Sequence, residues 1–513
     1  MDGTDRVAGM NGADGGLGGM AGTGGGLDDT SAWIQEELSG CDLKDRRLDE
    51  RLRTLVGDLS ARIGQGIPMA CQDWSATKAA YRFLDNDKVD EAVILAGHFQ
   101  ATRSRFDAAN GPILVLHDTT EFSFKRDRPD AIGKTHKCPV GRDKAGRPVT
   151  KTICGILMHS SFVVTPEGLP LGLAAIKFWT RQEFKGITAL SKKINMTRIP
   201  IEQKESIRWI ENLRQSTELL GRPGRCVHIG DRESDIYELF CAAHDAGTHF
   251  CVRTCVDRLA ESGDTTIAKE MDVAPHGIHM VELADRHGKN ITAQLEVRFR
   301  QMMILPPIGK QKQYPPLTVT AIHAREINVP EDREPLEWKL LTDVPVATLG
   351  QATEKLDWYA MRWKIETFHK ILKSGCHAED AKLRTAQRLA NLLAIYCIVS
   401  WRIFWLCMIN RTSPQSPPST VFTDVELQLL DHADPKAKRQ NSAKRKLSNS
   451  ASPQSPREPT KTITHYLYAV ARLGGYLSRA HDPPPGNKVL WRGFTRLLDL
   501  HLGYQLGAKL VGN

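Results

Sequence analysis

The chain has 513 residues, a formal net charge of +9 and eleven cysteines. The cysteines are scattered without a CxxC pair, and Cys241, His244, His249, Cys251 and Cys255 lack the paired spacing of a zinc site, so they read as reduced, mostly buried thiols. Residues 1–26 are glycine-rich with no apolar h-region, which gives no secretory signal and sets the expectation of a cytoplasmic protein.

After a disordered tail expected over 1–27, residues 28–105 read as a basic helical unit. Leu48, Leu52, Leu55, Leu59 and Ile63 repeat at i+3 and i+4, Tyr81 and Phe83 lie in a second periodic run, and Lys44, Arg46 and Arg47 precede the first. Residues 106–255 alternate strands with helices. PILVLH at 112–117 is a run of strand length that delivers Asp118 at its tip, followed by Thr119 and Thr120. VTKTICGILMHSSFVVTPEGLPLGLAAIKFW reads as a hairpin with a Pro-Glu-Gly turn. RCVHIG at 225–230 ends in Asp231 and leads through Arg232, Glu233, Ser234 and Asp235 into a helical pattern.

Residues 256–335 show short β-type runs, such as QLEVRFRQMMIL and LTVTAIHAREI, and read as a β insertion. The segment 336–410 returns to the α/β unit with a helix predicted over 356–374. There Tyr359, Arg362, Glu366 and Lys373 fall within an arc of roughly 60° on one helical face. Trp358, Met361, Ile365, Phe368 and Leu372 make the neighbouring apolar arc. The apolar run at 392–409 contains Arg402 and Ser400 and reads as a buried core helix rather than a membrane span. A Pro/Ser-rich, basic stretch at 411–462, with KAKRQNSAKRKLSNS inside it, reads as a solvated linker. In 463–513, Tyr466, Val470, Leu473, Tyr476 and Leu477 are spaced helically, and a second helix surrounds Trp491 to Leu500 beyond the prolines at 483–485.

Two strand-end aspartates and one helix-borne glutamate make a three-carboxylate set, Asp118, Asp231 and Glu366. Hard ions such as Mg²⁺ or Mn²⁺ take oxygen ligands of this kind, and two such ions together activate a water and stabilise the leaving oxygen in phosphodiester cleavage. The cations beside Glu366 would hold the DNA backbone. Plainer readings stand beside this one: Asp118 as a turn cap, Asp231 as a helix N-cap, Asp235 as the rival ligand, and the 356–374 helix as an amphipathic helix with a solvated charged face.

The Y-x2-R-x3-E-x6-K pattern from Tyr359 to Lys373, the DTT at 118–120 and GDRESDIY at 230–237 together resemble the DDE transposases of the IS4 group, most closely the Tn5 type. AYRFLDND near 80, KESIRWIENL near 204, HFCVR at 249–253, EPLEWKLLTDVPV at 334–346, ARLGGYL and LWRGFTRLLDL extend the likeness over most of residues 40 to 510.

The resemblance implies a ribonuclease H-like catalytic core carrying the β insertion and flanked by N- and C-terminal helical domains. It implies that Asp118, Asp231 and Glu366 are catalytic and hold Mg²⁺, with Mn²⁺ able to substitute and two ions per site. It implies that Tyr359, Arg362, Lys373 and Arg253 grip DNA phosphates, and that Trp338 and Trp363 stabilise a base flipped out during hairpin formation; an aromatic face returns roughly 1 to 3 kcal/mol of the unstacking cost. Core packing is the competing reading for both tryptophans. The N-terminal region would bind the transposon end, and the C-terminal region would mediate a homodimer in the synaptic complex. The expected function is cut-and-paste transposition, with no membrane partner. The alternatives are a non-cleaving DNA-binding regulator derived from such an enzyme, and a metal-dependent nuclease without strand transfer.

One stretch departs from the relatives. FKRDRPDAIGKTHKCPVGRDKAGRPVTK, between Asp118 and Asp231, is longer and basic, and reads either as a DNA-contacting loop or as an inert surface excursion.

Overall fold

The structure, a computed structural model, describes residues 32–126, 129–143, 145–181, 199–284, 290–329, 334–433, 461–479 and 482–511. The glycine-rich tail and the basic cluster of the linker lie outside these.

Five helices open the described chain: α1 (Ala32–Leu38), α2 (Arg46–Ala61), α3 (Ile67–Cys71), α4 (Trp74–Leu84) and α5 (Glu91–Ala108). Aspartates start three of them. Asp45, Asp73 and Asp90 accept from the Arg47, Ala76 and Val93 backbone N–H groups, satisfying donors that a helix start leaves open. Leu52, Leu55 and Leu59 are buried, so the leucine spacing does mark an inward face, and Phe83 is buried on α4 while Tyr81 is exposed.

Among the described residues twelve strands join one mixed sheet: β1 (Ile113–Ser123), β2 (Lys134–Arg142), β3 (Pro148–Val164), β4 (Pro170–Trp179), β5 (Cys226–Gly230), β6 (His249–Arg253), β7 (Leu259–Ala260), β8 (Thr265–Thr266), β9 (Gly277–Ala284), β10 (Asn290–Ile304), β11 (Leu317–Ile327) and β12 (Glu337–Thr342). The spatial order is β2-β3-β1-β5-β6-β12-β11-β10-β7-β8, with β4 on β3 and β9 on β10. β1, β5 and β6 are mutually parallel; β1, β3 and β4 pair antiparallel. The β3–β4 turn is Thr165-Pro166-Glu167-Gly168, closed by the Gly168 N–H on the Thr165 carbonyl at 2.8 Å with Gly168 at φ +90°, a conformation glycine adopts without penalty. Strands β7 to β11 lie in the segment between β6 and β12, and they continue the core sheet through β12 rather than forming a sheet of their own.

The remaining helices are α6 (Ile207–Leu220), α7 (Tyr237–Asp245), α8 (Ile267–Glu270), α9 (Leu349–Ala360), α10 (Trp363–Lys370), α11 (Ala386–Thr412), α12 (Asp424–Ala433), α13 (Ile463–Leu473) and α14 (Asn487–Val511). α6 covers one face of β3 and β4. α11 is long and apolar enough to cross a membrane, yet 89% of its apolar window is buried, against α2, α5, α14 and β4. The whole is a mixed α/β protein with a ribonuclease H-like core and flanking helices.

Four expected elements come out differently. The stretch expected as a solvated linker over 411–462 is folded in its first part, where α12 (Asp424–Ala433) forms and Phe422 and Leu430 are buried in the core. The helix predicted over 356–374 is broken: α9 ends at Ala360, α10 starts at Trp363, and Ile371–Gly375 widens into a π turn. Asp118 is not at a strand tip, because β1 runs on to Ser123 through its pairing with β3. Leu477 does not continue a helical face, since α13 stops at Gly474 and Leu477 is 65% exposed beyond it.

Candidate active site

Asp118 and Asp231 are brought together by strand register. β1 and β5 pair in parallel from Ile113↔Cys226 to Leu116↔Ile229, and the same register carried two residues further sets Asp118 opposite Asp231, at the carboxyl end of the pair. Both strands are buried on both faces along the shared ladder, and the two aspartates stand just beyond its end.

Alternation along β1 then sorts its neighbours. Asp118 faces α10, where the His369 ring nitrogen Nδ1 is 3.6 Å from its carboxylate and the other nitrogen meets the Ser160 hydroxyl at 2.9 Å. His117 and Thr119 face α6 instead. Thr119 accepts from Arg208 Nε at 3.1 Å, and Arg208 also pairs with Glu233 Oε2 at 2.5 Å.

Glu366 sits on the first turn of α10. Arg362, one residue ahead of that helix and nearly buried, donates from Nη2 to Glu366 Oε1 at 2.6 Å. Burial works against the Arg362 charge, but the Glu366 hydrogen bond together with the fields of Tyr359, Asp118 and Glu366 more than restores it, so its pKa is raised. Arg362 thus links the helix-borne acid to the strand-borne pair. Burial is the first cause that raises the Asp231 carboxyl above its ordinary value; the Glu233 N–H at 2.9 Å pulls it back, the Asp118 charge adds to the rise, and Arg362 and Arg208 oppose it.

The other expected residues fall around this set in two groups. Tyr359, buried at the end of α9, has its hydroxyl against the Arg253 and Arg362 guanidinium groups; burial raises its pKa and the two cations moderate the rise. Trp338 on β12 packs partly buried on the core, its ring edge-on to Tyr359 at 5.7 Å, and Arg253 donates to the Glu337 carbonyl beside it at 2.9 Å. Trp363 is 58% exposed with the Arg362 guanidinium 5.1 Å from its ring centroid. Lys373 lies apart from the Arg362–Glu366 pair, in the π turn, with its ammonium 5.7 Å from the Phe122 ring at the far end of β1.

Asp231 caps the short 3₁₀ turn Arg232–Ser234, while the following helix starts only at Tyr237. Asp235, the rival ligand, is consumed structurally: it pairs with Arg258 at 2.6 Å and accepts from the Cys255 and Val256 N–H groups and the Thr254 hydroxyl.

Sequence reading missed the layer beneath the acids. His117 Nε2 meets His228 Nδ1 at 2.8 Å, His117 Nδ1 meets Ser161 Oγ at 3.0 Å, His228 Nε2 meets Thr217 Oγ1 at 3.1 Å and His159 Nδ1 meets Thr119 Oγ1 at 2.9 Å. Burial drives all three imidazoles neutral, His117 to about 3 and His159 and His228 well below the usual value. The one signal available in advance was a histidine within each of three apolar strands, a polar group that a core tolerates only when partnered.

Oxygen donors fit a hard divalent cation, and like charge at Asp118 and Asp231 is what such an ion relieves. Among the described residues no three His, Cys, Asp or Glu side chains are grouped to hold a metal, and the Glu366 carboxylate accepts from Arg362.

Fold and acid placement define the class: an α/β protein whose ribonuclease H-like core sets Asp118, within β1, near Asp231, just past β5. Within that class, residues 30–89 match the family described as transposase DNA-binding, a span that takes in α1 to α4. The match supports a transposase or DNA-binding role, with DNA as the partner.

Proposed function

We propose that the protein is a DNA transposase of the IS4 group, Tn5-like, that cuts DNA at the ends of its element and joins the freed ends to a target. The observation that carries this reading is the register that sets Asp118 opposite Asp231, with Arg362 joining Glu366 to them, in a chain whose first helices match a transposase DNA-binding family.

Asp118, Asp231 and Glu366 would hold Mg²⁺, with Mn²⁺ able to substitute. When bound, two such ions supply an activated water and charge for the leaving oxygen. Arg362 meanwhile holds the Glu366 carboxylate through its 2.6 Å hydrogen bond in the free protein, and its guanidinium would be free to meet a phosphate once that carboxylate turned to a metal ion. Tyr359 and Arg253 form the second grip on the backbone, fixed by Trp338 against the tyrosine ring. The exposed Trp363 offers a free face to an unstacked base in a hairpin intermediate. A homodimer would bring two ends together.

The test is cleavage and joining by purified protein on a plasmid carrying the DNA that flanks its own gene, with Mg²⁺, with Ca²⁺ or without metal, comparing wild type with Glu366→Gln. Mg²⁺-dependent release of the flanked segment, its joining to target, and loss of both in the variant with end binding retained are expected. Cutting without joining would indicate a nuclease, and binding without cutting a regulator.

A further inference from the structure

We infer that the ribbon formed by β2 and the first half of β3 is a DNA-gripping arm, which engages duplex backbone about one helical turn away from Asp118. The inference rests on DNA being the substrate.

β3 pairs with β1 only over Gly155–Val164 and with β4 only over Leu157–Val164, so its first half, Pro148–Cys154, has β2 as its partner and leaves the body of the sheet as a two-stranded ribbon. From Lys137 to Lys151 the described side chains are exposed on both faces, apart from the half-buried Cys138 and Asp143. An outward ribbon that buries neither face gains nothing from folding inward, so a surface partner is the natural use of it.

Its charge selects the partner. Residues 134–151 carry six Lys and Arg against one acid, Asp143, in a chain whose whole excess is +9. Asp143 neutralises Arg147 at 3.0 Å, whereas Arg142 and Lys151 form no ion pair among the described residues. Arg142 meets only the Gly146 carbonyl, at 3.0 Å. Cations concentrated on an exposed ribbon suit a polyanion, and a two-stranded ribbon is one of the shapes that the major groove of a duplex admits.

A strand-adding protein partner is the competing occupant, and β2 is built against it. The register slips between Lys134 and Lys137 and again between Pro139 and Gly141, and Pro139 has no N–H to donate along the open edge.

The arm is also rooted where a DNA grip would be useful. Thr135 and His136, at its base, bond the two oxygens of Glu121 at 2.5 and 2.9 Å, three residues beyond Asp118 on β1. Asp118 pairs with Ser160, and from Ser160 back to Lys151 along β3 the distance is roughly 30 Å at about 3.3 Å per residue. One turn of duplex is about 34 Å. Past the same end of β1, the Ser123 N–H meets Glu379 at 2.7 Å, and the His377–Lys382 loop lines a small cavity with Gly64–Pro68 and Tyr81 of the matched DNA-binding span. Arm and DNA-binding helices therefore flank the same end of the sheet.

The test measures binding of the full chain to a 40-base-pair duplex of arbitrary sequence against salt concentration, for wild type, Arg142→Ala with Lys151→Ala, and the charge-keeping Arg142→Lys with Lys151→Arg. Loss of two phosphate contacts is expected to flatten the slope of log K against log salt by about 2 and to weaken binding on the order of tenfold near physiological salt, with the charge-keeping pair restoring both. An unchanged slope in the alanine pair, at an unchanged melting temperature, overturns the arm while leaving the transposase reading intact. A changed oligomeric state with an unchanged slope overturns it in favour of a contact between copies. Failure of the wild type to bind duplex at all overturns both.

Discussion

At Asp231 the fold holds a carboxyl above its ordinary range, chiefly by burial and then by the neighbouring Asp118 charge. A folded pKa above the unfolded value means that the native chain binds more protons in that window, so stability falls as pH rises through it and the full cost stands at neutral pH. Asp231→Asn is therefore expected to raise the melting temperature at pH 7.5, on the order of 1 °C in a chain this large, with the advantage fading toward pH 4. Added Mg²⁺ should raise the melting temperature of the wild type and not of that variant, a readout independent of cleavage. Lys373, over the Phe122 ring rather than within the Arg362 cluster, acts as a separate point charge. Lys373→Ala should flatten the salt dependence of binding to the cleaved end by about 1 and leave Tyr359 and Arg362 in place. The residue spacing from Tyr359 to Lys373 drew attention to all four groups in advance, but an arc on an ideal helix could not foresee that the backbone breaks at Met361 and widens after Lys370.

Among elements, the crossing of α13 and α14 is set by two glycines. A Cβ on Gly493 would run into the Val470 carbonyl, and one on Gly474 into the Val489 carbonyl, so the helices touch backbone to backbone there. Gly503, further along α14, meets nothing within 4 Å. Gly493→Ala should cost about 1–3 kcal/mol by overpacking, seen as early proteolysis of the C-terminal helices. Gly503→Ala should instead gain roughly 0.5–1 kcal/mol by helix propensity. The caps were similarly readable: Asp45, Asp73 and Asp90 stand just ahead of apolar periodic runs, and each accepts the N–H it is placed to accept.

For the molecule as a whole, the N-terminal helices are not an appendage. Ile34, Leu38, Leu52, Leu55, Phe83 and Leu95 share one core with β1, β3 and α11, and Asn391 of α11 donates to the Leu84 and Val89 carbonyls at 3.2 and 3.0 Å. A chain begun at residue 110 would bare that surface, so it is expected to aggregate or to bind a hydrophobic dye rather than remain a folded monomer. A regulator made by N-terminal truncation would need a partner to cover the same face.

Local pattern by itself determined much of this protein: the α/β alternation, the hairpin around Pro166-Glu167-Gly168, the buried arc of Trp358, Ile365, Phe368 and Leu372, and the three acids as the residues to watch, since hydrophobic period and turn chemistry are written within a few residues of one another. Only the tertiary structure decided which acids meet, that Arg362 occupies Glu366, that Asp235 is spent on Arg258, and that a histidine layer lies under the site. Those facts depend on strand register and on how side chains pack in three dimensions, and where the partners are more than a hundred residues apart, as His117 and His228 are, the sequence carries no sign of the 2.8 Å between their ring nitrogens.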